Sequence, residues 1–172
     1  MSIHATDPFA TPEEARSPVR RLRGRLPAAV TVWTAYATPS GRPAGLTVAS
    51  TVVADGDPGR LLGLVDEESE LYAAVRTSGR FAMTVLHAAD RRLADNLAGI
   101  LPVPGGPFQD GWERTEFGPI PYGAPTWAGC RVEAADPFGW SLLLMATIEV
   151  VHLGKDDPAL IHYRGRYADG PA

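Results

Sequence analysis

Turn-forming residues cut the chain into short β-branched and aromatic runs, and this segmentation limits the folds open to it. Residues 29–36 have strand chemistry, with Val30, Val32 and Thr34 on one face. Residues 39–43, rich in Pro and Gly, supply a turn, and residues 45–54 return as a second strand, so a β-hairpin is predicted. A turn at 55–59 leads into an apolar strand at 61–65. Further strands are predicted at 80–86, with Phe81, Met83 and Val85 on one side, and at 130–134, 141–151 and 159–163. Helical spacing is confined to three short stretches. The first, at 19–23, is opened by Ser17 and Pro18. The second, at 68–77, groups Leu71, Ala74 and Val75, and the third covers 90–98. Six or seven strands with short helices between them do not make alternating βαβ units. The expected class is mainly β with short helices, an antiparallel barrel carrying helices on its rim. Residues 1–16 are expected to be a mobile tail and 17–172 a single domain. The Gly- and Pro-rich stretch 101–125 is predicted to be a long loop serving function or packing.

Composition removes several function classes. With 16 basic and 20 acidic residues the net charge is −4, which leaves no nucleic-acid footprint. No apolar run reaches the ~18 residues of a membrane span, and residues 1–12 lack the pattern of a signal peptide. The single Cys130 excludes an internal disulfide and suits a reducing cytosol, so a cytoplasmic location is expected; mid-strand, it reads as a small hydrophobe. His4, His87, His152 and His162 are too scattered for a zinc site, and neither a P-loop nor a dinucleotide G-x-G-x-x-G fingerprint is present.

The stretch Gly45 to Val53 is the most informative. Small and hydroxylated residues stand where a packed strand would place bulk. Gly45 and Ala49 let another group approach the backbone, and Thr47, Ser50 and Thr51 offer hydroxyls. A flat aromatic cofactor with a phosphate tail needs this combination; an edge strand with its hydroxyls in water is the alternative.

The order of motifs adds to this reading. Gly45-Leu46-Thr47-Val48-Ala49-Ser50 resembles a Gly-Met-Thr-x-x-Ser stretch. Phe81-Ala82-Met83-Thr84-Val85-Leu86 resembles Phe-x-Val-Asn-x-Leu, and the segment from Ala159 to Tyr167 resembles a closing Pro-Leu-x-Tyr and Gly-x-Tyr pattern. Together, over about residues 20–167, they resemble the flavin reductase-like family, whose fold is an FMN-binding split β-barrel. The resemblance implies a flavin held against Thr47, Val48, Ala49, Ser50, Thr51 and Val52 by backbone N–H groups. Thr47 and Ser50 hydroxyls would then meet the ribityl chain or phosphate, Ser69 would complete the phosphate pocket and Arg80 would supply charge. It also implies a homodimer, with residues 101–125 and 164–167 at the contact.

One departure stands out. Many family members carry Gly-Asp-His before a late strand, where the histidine seats the nicotinamide nucleotide; this chain reads Gly139-Trp140-Ser141. Trp140 and His162 are the candidate replacements, against a plain core role for Trp140 and a dimer-contact role for His162. The resemblance implies an NAD(P)H-dependent flavin reductase using FMN or FAD with NADH or NADPH, as the small component serving a partner oxygenase. The alternative is a flavin-binding electron carrier or sensor. No catalytic acid or base is required, because the cofactor carries the hydride chemistry.

Overall fold

Trp33 explains why the central strands assemble as they do. In a computed structural model describing residue 15, residues 17–155 and residues 157–170, its ring is fully buried and stacks on Phe81, with centroids 4.6 Å apart and planes 18° from parallel. Such a pair contributes ~0.5–1.5 kcal/mol beyond the area it buries. The two aromatics come from adjacent strands, β2 (Thr31–Tyr36) and β6 (Arg80–Val85), which pair antiparallel with Trp33 opposite Met83.

Among the described residues the main sheet has seven strands in the order β3-β2-β6-β9-β10-β5-β4, every pair antiparallel. Here β3 is Pro43–Val48, β4 Val52–Ala54, β5 Arg60–Val65, β9 Thr126–Phe138 and β10 Ser141–Leu153. The two longest strands change their register at Met145/Ala146 and at Ile148/Val150. These bulges bend the hairpin, so one half of β9 pairs with β6 while the near half of β10 pairs with β5. The wall stays open between its two end strands, β3 and β4. A second sheet, β1-β11-β12 (Ala28–Ala29, Leu160–Tyr163, Arg166–Asp169), is hooked to the barrel because Val30 N–H donates to Leu160 O and Leu160 N–H to Leu86 O, both at 2.9 Å. A two-stranded ribbon of β7 (Trp112–Arg114) and β8 (Pro119–Pro121) lies within the long loop.

Three helices occupy the places their spacing predicts. Helix α1 covers Pro18–Gly24, with the Ser17 hydroxyl accepting from Arg20 N–H. Helix α2 covers Glu70–Ser78, capped by Ser69 and stopped at Gly79 in the left-handed region; Leu71, Ala74 and Val75 are its buried face. Helix α3 covers Arg91–Leu97 after a 3₁₀ turn. Of the expected 1–16 tail, all but residue 15 lies outside the described residues.

The structure corrects two strand predictions. Residues 45–54 do not form one strand, because the chain turns across the barrel at 49–51 and resumes as β4. The strand expected at 130–134 is 13 residues long. Burial on β2 also differs from a simple one-faced strand. Thr31 to Ala35 are all buried, since α3 and the loop around Phe117 cover the outer side while Trp33 and Ala35 fill the barrel.

The large Trp33 ring fits because Gly63 on β5 has no side chain: a Cβ there would lie 2.6 Å from Trp33 Cη2. Gly63→Ala should therefore destabilise the protein by about 1–3 kcal/mol, the range for overpacking. The checking measurement is a urea titration, in which the midpoint should fall with the slope unchanged. A wild-type midpoint would show that Trp33 can move aside.

Candidate functional site

The corner Ala49–Thr51 is the centre of the candidate site, and its side chains are used to build it. Thr31 Oγ1 donates to Val48 O at 2.7 Å, which commits its single proton. The 2.7 Å contact between Thr31 Oγ1 and Thr51 Oγ1 must then take its proton from Thr51. Trp33 Nε1 donates into the same pair at 3.1 and 3.2 Å. On the other side Ser50 Oγ accepts from Leu64 N–H at 2.8 Å and donates to Leu64 O at 3.2 Å. One hydroxyl thus replaces a missing piece of strand pairing and ties the corner to β5.

Thr47 Oγ1 donates to Ala94 O of α3 at 2.7 Å, and Ser69 Oγ donates to Asp66 O at 2.7 Å while accepting from Tyr72 N–H. Every hydroxyl singled out in the sequence at Thr47, Ser50, Thr51 and Ser69 therefore spends its proton within the chain. Within the chain each of the four hydroxyls therefore already has an acceptor for its proton. Asp66, Glu67, Glu68 and Glu70 crowd the Ser69 turn and oppose an anion there. Gly45 is open for a different reason from the one expected. The group that approaches it is Phe108, whose Cζ would lie 2.7 Å from an added Cβ.

The corner does offer its main chain. None of the backbone hydrogen bonds of the described turns and loops uses the N–H of Ala49, Ser50 or Thr51, and their side chains leave little bulk above them. The next residues, Val52 and Val53 on β4, are 54% and 57% exposed. β4 ends the strand order, so alternate N–H and C=O groups along it have no partner on the outer side. Unpaired N–H donors beside an exposed apolar strip suit a flat ring with a polar edge.

Two further sequence candidates are placed by strand register. His162 on β11 is opposite Ala28, three residues or about 10 Å of strand from Thr31. It is half-buried, makes an edge contact with Tyr167, and its basicity is lowered by burial and then by the Arg23 charge, so it is neutral at pH 7. Trp140 is at the tip of the β9–β10 hairpin, after Gly139 at φ 62°, and is fully exposed rather than core. Leu142, two residues on, is opposite Val65, which places the tip beyond the strand end that Ser50 clamps.

Arg80 is elsewhere. It follows the C-terminal end of α2, roughly 14 Å of helix away from Ser69. Its guanidinium is held by Glu116 at 2.5 Å and Glu149 at 3.4 Å and lies over the Phe117 ring. The charge assigned to it in the sequence is spent on these partners. Cys130 is fully buried in the barrel, and burial followed by Glu149 pushes its thiol to about 12, so it behaves as the small hydrophobe expected.

A family model described as "Flavin reductase like domain" matches residues 23–171. The chain belongs to the flavin reductase-like family. A flavin reductase (NADPH) of Lentzea aerocolonigenes is 30% identical over 148 residues, covering 84% of this chain and 85% of that protein. The reductase component of an FADH(2)-dependent resorcinol hydroxylase from a Rhizobium species is 28% identical, covering 94% and 91%. Among solved structures, the styrene monooxygenase flavin reductase of Pseudomonas putida S12 superimposes with a TM-score of 0.79 at 18% identity, covering 91% and 99%. That likeness confirms the mainly β split barrel.

Sequence reasoning missed that the Ser50 hydroxyl is a clamp on the Leu64 backbone. The available signal was the break in strand patterning at Ala49–Thr51. Ser50→Ala should cost about 1–3 kcal/mol of stability, because two groups of Leu64 lose their partner. A phosphate-binding serine would leave the urea midpoint unchanged. His162 predicts a pH dependence. Its proton affinity is lower in the folded state, so its stabilising effect is complete above the unfolded value of about 6.5 and is lost as pH falls below it. In urea midpoints followed from about pH 7.5 to 5, His162→Gln should flatten the decline; identical profiles would remove His162 from the account.

Proposed function

We propose that this protein is an NAD(P)H-dependent flavin reductase whose flavin lies along Ala49–Val53. The carrying observation is the unpartnered run of N–H groups at Ala49, Ser50 and Thr51 next to exposed Val52 and Val53. These groups would hold the polar edge of the ring, and the apolar strip its hydrocarbon edge. A bound flavin supplies the capacity to accept hydride from a reduced nicotinamide and pass electrons on. The chain's contribution is position. The Trp33–Thr31–Thr51 node fixes one side of the corner, and the Ser50–Leu64 clamp fixes the other. His162, half-buried on β11, or the exposed ring of Trp140 would take the place of the missing Gly-Asp-His as a contact for the nicotinamide nucleotide.

The relatives named for hydroxylase and monooxygenase systems support a role as the reductase component of such a pair. FMN is the flavin favoured by the sequence resemblance, with FAD as the alternative. A homodimer is proposed as well, supported by the exposed Val150, Val151 and Leu153 on β10. The buried thiol of Cys130 suits a reducing cytoplasm, and among the described residues no helix is long and apolar enough to cross a membrane.

The test is anaerobic reduction of added FMN or FAD by NADH and NADPH. Reduction should occur with both enzyme and nucleotide present, at a KM raised about threefold to tenfold by loss of one neutral hydrogen bond. Ala49→Leu, which puts bulk over the N–H groups, should abolish flavin binding while circular dichroism is retained. Tight flavin binding with no reduction by either nucleotide would favour the carrier or sensor reading. Unchanged flavin affinity in Ala49→Leu would move the site.

A further inference from the structure

Two exposed surfaces of this chain carry opposite charge that the fold does not neutralise. Arg20, Arg21, Arg23 and Arg25 follow one another on and just after α1, and all are exposed. Asp66, Glu67, Glu68 and Glu70 form the turn between β5 and α2 and the first residue of that helix, and these are exposed as well. Among the described residues, neither the arginines nor the carboxylates of these two groups take part in an ion pair. Within one chain, therefore, the two groups do not neutralise each other.

Each charged group has apolar surface beside it. Val19 and Leu22 are one turn apart on α1, Leu26 follows the helix, and the three are 76%, 63% and 61% exposed. No residue of α1 is buried, and a helix of seven residues is too short to persist without packing. Inside the chain it is held by the Ser17 cap and by Arg164 N–H, which donates to Gly24 O at 2.8 Å. On the acidic side, Leu142 is opposite Val65 and Ser141 is opposite Phe138, so the β9–β10 tip adjoins the turn that begins at Asp66. That tip carries two exposed aromatic rings, Phe138 and Trp140. One surface is cationic and aliphatic, the other anionic and aromatic.

A second copy of the chain offers each surface its complement. Guanidinium groups pair with carboxylates through two parallel bonds and stack on aromatic rings such as that of Trp140. Exposed ion pairs contribute little singly, so apolar cover supplies the affinity while the charges select the partner and fix its orientation. In a two-fold arrangement both contacts form at once, because each copy carries both surfaces. An anionic lipid surface would satisfy α1 alone; it would repel the acidic turn and leave the aromatic tip uncovered.

We propose that α1 of one copy docks on the 66–70 turn and the Phe138–Trp140 tip of a second copy. This contact is separate from the exposed Val150, Val151 and Leu153 of β10, and it does not depend on flavin binding. It brings the arginines of the second copy to the end of β5, next to Leu64, the residue that Ser50 clamps.

The experiment is sedimentation velocity of the full chain without flavin, over a range of protein concentrations, in low and in high salt. Association should weaken as salt screens the charges. Arg20→Glu combined with Arg21→Glu should weaken it roughly tenfold or more, and so should Glu67→Arg combined with Glu68→Arg, with circular dichroism unchanged. Mixing the two charge-reversed variants should restore association, because each surface then meets its opposite again. Association as in the wild type in either variant, or no recovery in the mixture, would overturn the proposal. Retained association with lost binding to phosphatidylglycerol vesicles in the Arg20→Glu, Arg21→Glu variant would also overturn it, and would assign α1 to a membrane surface.

Discussion

Most of this molecule is organised by the burial of one tryptophan. Trp33 offers a large apolar ring and one N–H, and both are used. The ring stacks on Phe81 and occupies the space that Gly63 leaves, which pulls β2, β6 and β5 around a common centre. Burial of the N–H demands an acceptor, and it finds two threonine hydroxyls that also tie down the corner at Thr51. A requirement of the core thereby shapes the backbone to which the flavin is assigned.

The same economy applies to the rest of the corner. Hydroxyl groups have one proton each, so a serine or threonine that clamps its own backbone cannot also donate to a ligand. Thr47, Ser50 and Thr51 are spent in this way. What they leave over is a set of main-chain N–H groups held in fixed positions, which cost little reorganisation when a ligand arrives. Charge is distributed on a parallel principle. Arg80 is neutralised by two glutamates where the wall of the barrel needs it, while Arg114 is backed by an aromatic ring and remains available.

The chain's pattern made much of the scaffold readable. The apolar face of α2 at Leu71, Ala74 and Val75, the Ser69 cap and the Gly79 stop all follow from local spacing and local hydrogen bonds, and each is where the spacing puts it. The hairpin of β2 and β3 follows from turn chemistry and alternation, although its tip is one residue longer than the turn residues suggest. The β7–β8 ribbon and β12 were not legible, since their strands are three or four residues long and form only because the barrel offers them a surface.

Sequence by itself determined the inventory: a β-rich barrel and small, hydroxylated residues within 45–53, whose corner at 49–51 it read as continuous strand. These properties depend on side-chain size, turn preference and strand alternation, all of which act over a few residues. Tertiary structure decided what each polar group does. Ser50 meets Leu64 across 14 positions of chain, Thr47 meets Ala94 across 47, and Arg114 meets Tyr36 from a loop with no distinctive pattern. A hydroxyl or a guanidinium carries no local mark of its partner. Whether it is free for a ligand depends on which groups the folded barrel brings within about 3 Å of it, and that distance is set by the packing of the core around Trp33.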